Sequence, residues 1–512
     1  MTPSLNKDGK RPKSAYISDA ISSYCLNGDA YLTEEKLLEL CRHKKKDLGY
    51  EVFRLDLEEQ IKKGAVHREA DRIYSKKTWR YEEQAAERLS ELMRLPPLPL
   101  HPRKAVAADG MLFDEAQCAA LSMALSNRLS LILGGAGSGK TTLIRALVRE
   151  ANAGGETVLC APTGKAARNL TERTGLTART VHSALGKIPD EDFLDAVRWN
   201  HTELVIVDEC SMMTIEMLAG ILNRVHDTCK VVLIGDFNQL PSVGAGNVID
   251  DLLKLRFPCA RLSANYRLNQ LYCGLAENVT RFGGLSRANE LIFDDSIVLE
   301  EKPEAEALEA LVARAAKGYL SGESIQILSP FRTSTTFSVA NLNMLIREKV
   351  NQSCPGQKSM ANHAETLRDG DRVMITENDR ERSCVNGDVG VLRIESDDDN
   401  GLCFSVEMAD GRISRWDAYS SCDGKRKLTL AYALTVHKSQ GSQYDTVLMP
   451  LTMEMQTMLN RNLFYTAISR ARCKVVLYGN RQAVEVCMQR ALPKRKSALV
   501  PKTNTRLLQM AV

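Results

Sequence analysis

No run of this 512-residue chain is both long and apolar enough to cross a bilayer as a helix. Nor does the N-terminal stretch Met1–Ala30 hold the apolar core of a secretory signal, so the expected location is the cytoplasm, without a membrane partner. The 14 cysteines stand singly, with no CxxC pair and no Cys/His cluster at zinc spacing, which argues against a disulfide framework or a structural zinc site. Charge of one sign is also lacking. A net charge of +4 does not by itself announce a nucleic-acid partner. The clearest bias sits after Glu485, where six basic residues and no acidic one remain, and residues 486–512 read as a basic, solvated tail.

What is present is the composition of a soluble globular protein, 44% hydrophobic and 26% charged, in a chain long enough for about three or four domains. Its strongest local signal is LILGGAGSGKTT. Leu131–Leu133 form a β-compatible apolar run, Gly134 to Thr141 fit GxxxxGK[ST], and Leu143, Ile144, Leu147 and Val148 recur at helical spacing. A strand, phosphate loop and helix in that order cradle a polyphosphate, because the turned backbone N–H groups and the helix dipole both favour anions. Lys140 is expected to reach the β and γ phosphates, and Thr141 to hold Mg²⁺ through its hydroxyl.

Before that loop, Thr33 with Glu34 and Glu35 starts a helix, VFRLDLEEQIKK reads as a second, AVHREADRIYS as a hairpin and TWRYEEQAAERLSELMRL as a longer amphipathic helix. Residues 1–28 are polar and read as lacking regular structure at their start. The order helix, helix, hairpin, helix is similar to a winged-helix module; a plain helical packing domain fits equally. Pro96, Pro97, Pro99 and Pro102 mark a stiff linker near 95–105. Gln117 has two readings of equal weight. It ties down a helix start through capping-box spacing with Asp114, or it reads an adenine edge from its place upstream of the phosphate loop.

Further strand ends follow. Thr157–Cys160 runs into Ala161-Pro162-Thr163-Gly164-Lys165, a second strand-to-helix turn suited to an anion such as a nucleic-acid phosphate, and RTVHSALG offers Thr180 and His182 in a similar place. Leu204–Val207 is a buried parallel strand ending in Asp208-Glu209. Beside a phosphate loop, Asp208 joins the Mg²⁺ shell and Glu209 polarises the attacking water. Val231–Ile234 leads to Gly235-Asp236 and Gln239, a side chain suited to sensing a γ-phosphate. These features describe ATP hydrolysis.

With GGAGSGKTT, APTGKAA, TVHSALG, IVDECSM, GDFNQLPSVGAGN, LSANYR, LTVHKSQGSQYD and LFYTAISRAR in order between residues 106 and 480, the chain resembles the RecD-like DNA helicases of superfamily 1B. The resemblance implies an α/β fold of two RecA-like P-loop motor domains, ATP with Mg²⁺ between them, and single-stranded DNA across their tops with 5′ to 3′ movement. It implies a first motor domain at 105–290, with a short pin hairpin at 186–203, and a second at 291–365 and 429–485. An SH3-like β-barrel insertion at 366–428 and a small N-terminal, mainly helical, winged-helix-like domain with its linker at 1–104 complete the set. Arg267 and Arg470 look like the two arginines that reach the γ-phosphate. Gly135, Ala136, Gly137, Ser138, Gly139, Thr142 and Gly441 are implied around the nucleotide. Pro162, Thr163, Thr180, His182, Asn238, Thr435, His437, Lys438, Ser439 and Gln440 are implied along the DNA or the phosphates. Trp199 reads as a packed aromatic. Where the family commonly has Glu, Pro and Thr, this chain has Gln443, Ala245 and Ser469.

The expected partners are single-stranded DNA and single-strand/duplex junctions, with proteins of a repair or recombination complex beside them. Two alternatives to an autonomous helicase carry the same motifs: an ATP-switched DNA clamp, and a motor subunit of a larger DNA-processing complex. Strand displacement on a tailed duplex separates them.

Overall fold

The structure is a computed structural model that describes residues 15–96, 98, 113–135, 137–151, 156–186, 199–262, 296–362, 365–379, 381–398, 401–417 and 419–510. The N-terminal part comprises α1 (Ala15–Cys25), α2 (Glu34–Lys44), α3 (Tyr50–Lys62), the hairpin β1 (Val66–Glu69) and β2 (Arg72–Ser75), and α4 (Lys76–Arg94). Thr33 caps α2 by accepting from the Lys36 N–H, with Glu34 and Glu35 at the positive end of the helix dipole. Helix α1 is not anticipated from the polar look of residues 1–28. Its apolar residues Ile17, Ala20, Ile21 and Cys25 nonetheless recur at helical spacing and are buried in one cluster with Phe53 and Leu57.

Next come α5 (Glu115–Ser126), β3 (Leu129–Gly134), α6 (Lys140–Ala151), β4 (Glu156–Ala161), α7 (Gly164–Thr174), β5 (Arg179–Thr180) and α8 (Val181–Ala184), followed by β6 (Thr202–Val207), α9 (Ile215–Arg224), β7 (Lys230–Gly235), α10 (Val248–Lys254) and β8 (Cys259–Leu262). The strands form one sheet in the order β5-β4-β6-β7-β3-β8, every pair parallel. Leu131, Ile132, Val205, Ile206, Val232 and Leu233 are no more than 1% exposed, which is why these strands read as unbroken apolar runs rather than alternating ones. The carboxyl ends of β3, β6 and β7 lie side by side, so the phosphate loop, Asp208-Glu209 and Gly235-Asp236 converge on one edge.

The remainder comprises β9 (Ile297–Glu301), α11 (Glu304–Leu320), β10 (Ile325–Ser329), α12 (Val339–Val350), β11 (Ser359–Ala361), β12 (Thr366–Arg368), β13 (Arg372–Ile375), β14 (Val389–Asp398), β15 (Gly401–Met408), β16 (Ile413–Trp416), α13 (Ser421–Arg426) and β17 (Leu428–Leu430). It closes with β18 (Ala433–Thr435), β19 (Tyr444–Leu451), α14 (Arg461–Ile468), β20 (Ala471–Gly479), α15 (Arg481–Gln489) and α16 (Leu499–Gln509). Strands β18-β10-β19-β20-β9 make a second parallel sheet, and β16-β15-β14-β13-β17 an antiparallel one. Two parallel α/β sheets meet the RecA-like expectation. The antiparallel sheet shares a hydrophobic core with the second parallel sheet, joined through Val373, Tyr432 and Leu448 among others.

The reading of the C-terminus as a solvated tail is overturned. After α15 the chain returns to the first sheet and the N-terminal helices. Arg495 Nη1 donates to Ser242 Oγ at 2.9 Å and to the Gly246 carbonyl at 3.0 Å, and the Ala30 N–H donates to the Lys496 carbonyl at 2.8 Å. Helix α16 packs on α4, and its Lys502 is buried, with Nζ 2.9 Å from Glu83 and 3.5 Å from both Glu69 and Glu82. The six basic residues mislead because two of them, Lys502 and Arg506, pair with Glu82 and Glu83, acids of α4 far back in the chain that local charge counting cannot see.

Candidate functional site

The phosphate loop joins β3 to α6. Gly137 and Gly139 have φ of 85° and 82°, the left-handed region that side-chain-bearing residues avoid, which is the physical reason for glycine there. The Ser138 hydroxyl donates to the Gly135 carbonyl at 2.9 Å, and Lys140 Nζ donates to the Gly134 and Gly135 carbonyls, each at 2.7 Å. Ala136 lies outside the described residues. Thr141 lines the cavity beside the loop, and Thr142 follows it half-buried in the first turn of α6.

That cavity, about 300 Å³, has walls from both parallel sheets. The first sheet contributes residues 137–141, Asp208, Glu209 and Gln239; the second contributes Gly441, Gln443, Ser469 and Arg470. Arg470 is 4% exposed, with Nε donating to the Thr466 carbonyl at 3.2 Å and Nη2 to Ser469 Oγ at 3.1 Å. These bonds set the direction of a planar guanidinium that is not free to wander. Asp208 Oδ1 accepts from the Glu209 N–H at 2.9 Å. Burial, then the neighbouring Glu209 carboxylate, pushes the Asp208 pKa up to about 6 against the opposing fields of Lys140 and Arg173. Glu209 has φ of 53°, a left-handed backbone at a site-lining carboxylate.

Gln239 connects this cavity to the other half. Its Nε2 donates to Asp236 Oδ2 at 3.4 Å, and the same oxygen accepts from the Tyr465 hydroxyl on α14 at 2.6 Å. Asn462 donates to the Gln239 carbonyl at 3.3 Å and to the Asn238 carbonyl at 3.1 Å, while Leu240 N–H donates to Thr466 Oγ1 at 2.8 Å. A shift at Gln239 therefore meets α14 within one residue. Tyr465 and Thr466 lie inside the LFYTAISRAR signature and Asn462 just before it, but they carry no local sign of their partners, which come from more than 200 positions earlier. Gln117 takes the capping role: Asp114 accepts from its N–H at 2.7 Å, and its own Oε1 accepts from the Asp114 N–H at 3.2 Å.

A second face lies beside this cavity. Thr163 caps α7 by accepting from the Ala166 N–H, and Thr180 caps α8 by accepting from the Ser183 N–H; both are half-buried, Pro162 is buried and His182 half-buried. Thr180, Arg168 and Arg179 line a cleft of about 420 Å³ against Asn378 and Val385 of the antiparallel region. Arg168 bridges that cleft to Asp388 at 2.6 Å, and Lys165 donates to the Gly387 carbonyl at 3.1 Å. From the second sheet, Thr435 and His437 are half-buried and Lys438 is exposed. Burial, with the Arg495 charge, pushes the His437 pKa down, so this ring is neutral at physiological pH.

Two expected DNA contacts are not at this surface. Ser439 is 0% exposed, its hydroxyl donating to the Val436 carbonyl at 2.7 Å, and Gln440 is 5% exposed, its Nε2 donating to the Leu240 carbonyl at 3.0 Å. Ser439 closes its own turn and Gln440 ties the loop to the first half, because a buried polar side chain takes a backbone partner in preference to none. Trp199 is half-buried against the first-half core. Arg267 lies outside the described residues, as do most of the expected pin and almost all of the linker.

Residues 112–289 match the family model described as an AAA domain, and residues 430–478 match the UvrD-like helicase C-terminal domain. The ATP-dependent RecD2 DNA helicase of Deinococcus radiodurans is 33% identical over 448 residues, which is 84% of this chain and 58% of that protein, so the chain spans little more than half of that relative. The RecBCD enzyme subunit RecD of Mycolicibacterium smegmatis is 29% identical over 467 residues, 82% of this chain and 80% of that one. The subunit of the same name from Mycobacterium tuberculosis is 30% identical over 470 residues, covering 83% and 79% of the two chains. With a phosphate loop, an acid pair and a buried arginine from the second sheet around one cavity, and relatives matched over most of their own length, the chain belongs to the RecD-like helicases.

Proposed function

We propose that this protein is an ATP-driven translocase and helicase that moves along single-stranded DNA, 5′ to 3′, using ATP to open and close the junction between its two parallel sheets. The single observation that carries this reading is the convergence of Lys140 and Arg470 on one cavity from opposite sheets. Lys140 and the loop N–H groups hold the triphosphate, Arg470 neutralises charge on its γ-phosphoryl group, and Glu209 orients the attacking water. Arg267 is the second arginine in this scheme. Loss of the γ-phosphate frees Gln239, whose loop is bonded to α14, so the two halves part.

Asp208 and Thr141 are the residues that hold Mg²⁺. One half-buried carboxylate and one hydroxyl suit an ion that keeps several waters and takes its other ligands from phosphates. Magnesium bound there would supply charge neutralisation for the triphosphate. The strand runs past Thr163, Thr180, His182 and Asn238 on the first half and Thr435, His437 and Lys438 on the second. The antiparallel region of residues 366–428 acts as an SH3-like wall over it, and residues 1–104 form a winged-helix-like module with its linker. Contacts are chiefly to phosphates, so sequence preference is slight and salt dependence steep. Two mycobacterial relatives named as RecBCD subunits support a second setting, a motor subunit within a DNA-processing complex.

The test is ATP turnover with and without single-stranded DNA, followed by strand displacement on 5′- and 3′-tailed duplexes. DNA-stimulated turnover with release from the 5′-tailed duplex is expected, and Lys140→Ala abolishes turnover while leaving the fold intact. Retained turnover in that variant removes the site, and stimulation without strand release favours the subunit setting.

A further inference from the structure

Arg173 has no assigned role. It occupies the last turn of α7, where a basic residue is ordinarily explained by the negative end of the helix dipole. Its side chain nevertheless runs to the nucleotide cavity, whose wall it shares with Lys140, Asp208 and Arg470. There its Nη2 donates to Gln443 Oε1 at 3.0 Å, a bond from the first parallel sheet's helices to a residue of the second half.

We infer that Arg173 is a phosphate-directed cation of this cavity, resting on Gln443 and transferring to the triphosphate when nucleotide binds. The inference depends on the nucleotide reading of the cavity given above. Three features carry it. The backbone is fixed, since Arg145 of α6 donates to the Arg173 carbonyl and Gly175 closes the helix by donating to the Thr171 carbonyl at 2.8 Å. The side chain is not fixed, because Arg173 is exposed and its partner there is neutral. A carboxylate at position 443 would hold the guanidinium by charge, whereas an amide oxygen is the weaker acceptor and yields to a phosphate oxygen.

The position selects the phosphate end of the nucleotide rather than its base. Arg173 acts on Asp208 with the same sign as Lys140, so the guanidinium stands within the field of the acid that faces the phosphates. It also corrects the balance of charge. Among the described residues, Lys140 and Arg470 face Asp208 and Glu209 as equals, and Arg173 adds one positive charge to that wall.

The experiment is equilibrium binding of a non-hydrolysable ATP analogue and of ADP, with Mg²⁺, to the full chain and its Arg173→Ala, Arg173→Lys, Gln443→Glu and Lys140→Ala variants. Arg173→Ala is expected to weaken the triphosphate by about tenfold and ADP by less than about threefold, with Arg173→Lys restoring part of the loss. Gln443→Glu is expected to weaken the triphosphate when Arg173 is present and to do nothing further in the Arg173→Ala background. Equal loss of di- and triphosphate in Arg173→Ala, or none of either, overturns the inference. If Lys140→Ala also leaves binding unchanged, the cavity is not a nucleotide site and the broader reading fails with it. Loss in Lys140→Ala alone sinks only the role given to Arg173.

Discussion

Replacing Lys502 by methionine is expected to loosen the C-terminal helix from the molecule, by an amount that depends on pH. Lys502 is 7% exposed and holds its ammonium within 3.5 Å of Glu82 and Glu69 and 2.9 Å of Glu83. Glu82 is 0% exposed and, besides that charge, accepts from the Ala498 N–H at 2.9 Å and the Ser497 hydroxyl at 3.1 Å. Burial raises its pKa above the ordinary 4.5 even with Lys502 present. Removing the ammonium leaves a buried carboxylate with no counter-charge, which takes up a proton rather than remain ionised. Breaking a buried ion pair by removing one partner costs about 3 kcal/mol at neutral pH, because the other charge is left uncompensated. Because burial raises the folded pKa of Glu82, the penalty grows as pH rises above 4.5 and is smaller at pH 5 than at pH 7. Hydrogen exchange at the amides of α16 and the facing turn of α4 reads this locally, as an acceleration of about a hundredfold at pH 7 after correction for intrinsic rates. Adding Glu82→Gln is expected to recover most of it. An acceleration that is the same at pH 5 and pH 7, or absent at both, refutes the reasoning.

Two further predictions concern the sites on either side of α7. Burial and Glu209 hold the Asp208 pKa at about 6, and the magnesium site proposed above needs its carboxylate; Mg²⁺-nucleotide affinity should therefore rise by up to about tenfold per unit between pH 5 and 6 and level off above, with proton release seen by calorimetry in buffers of different ionisation enthalpy. Asp208→Asn should remove that slope. At the other side, Asp388 is buried, but hydrogen bonds from Arg412, the Val385 N–H and Arg168 outweigh the burial and lower its pKa, so its bridge is intact at neutral pH and lost only in acid. Asp388→Asn should cost about 2 kcal/mol locally, raise exchange in residues 383–390, and leave ATP turnover without DNA unchanged. An effect on basal turnover would place this bridge in the hydrolytic machinery.

The backbone around the Lys140 cavity was largely legible because its form is set locally. A phosphate loop needs glycine where φ is positive, as at Gly137 and Gly139, and an apolar run before it, and neighbours in sequence supply both. The acids after β6 and the Asp236–Gln239 turn after β7 were legible for the same reason, since a strand buried on both faces leaves its mark in the residues themselves. Contacts that join distant segments were not legible. Gln440 looks like a polar group on a loop until the Leu240 carbonyl is found against it, and Arg173 looks like a helix-end charge until Gln443 is seen across the cavity.

Sequence alone determined the phosphate-loop backbone, because a loop of about eight residues can build that cradle from its own N–H groups. It also determined the order of the two parallel sheets along the chain. Only the tertiary structure decided that Arg470 shares a cavity with Lys140, that Gln239 is bonded through its loop to α14, and that the basic C-terminus neutralises buried acids of α4. Propensity and periodicity act over a few residues, whereas charge pairing and burial act between whatever surfaces folding brings together, and no local pattern records which surfaces those are.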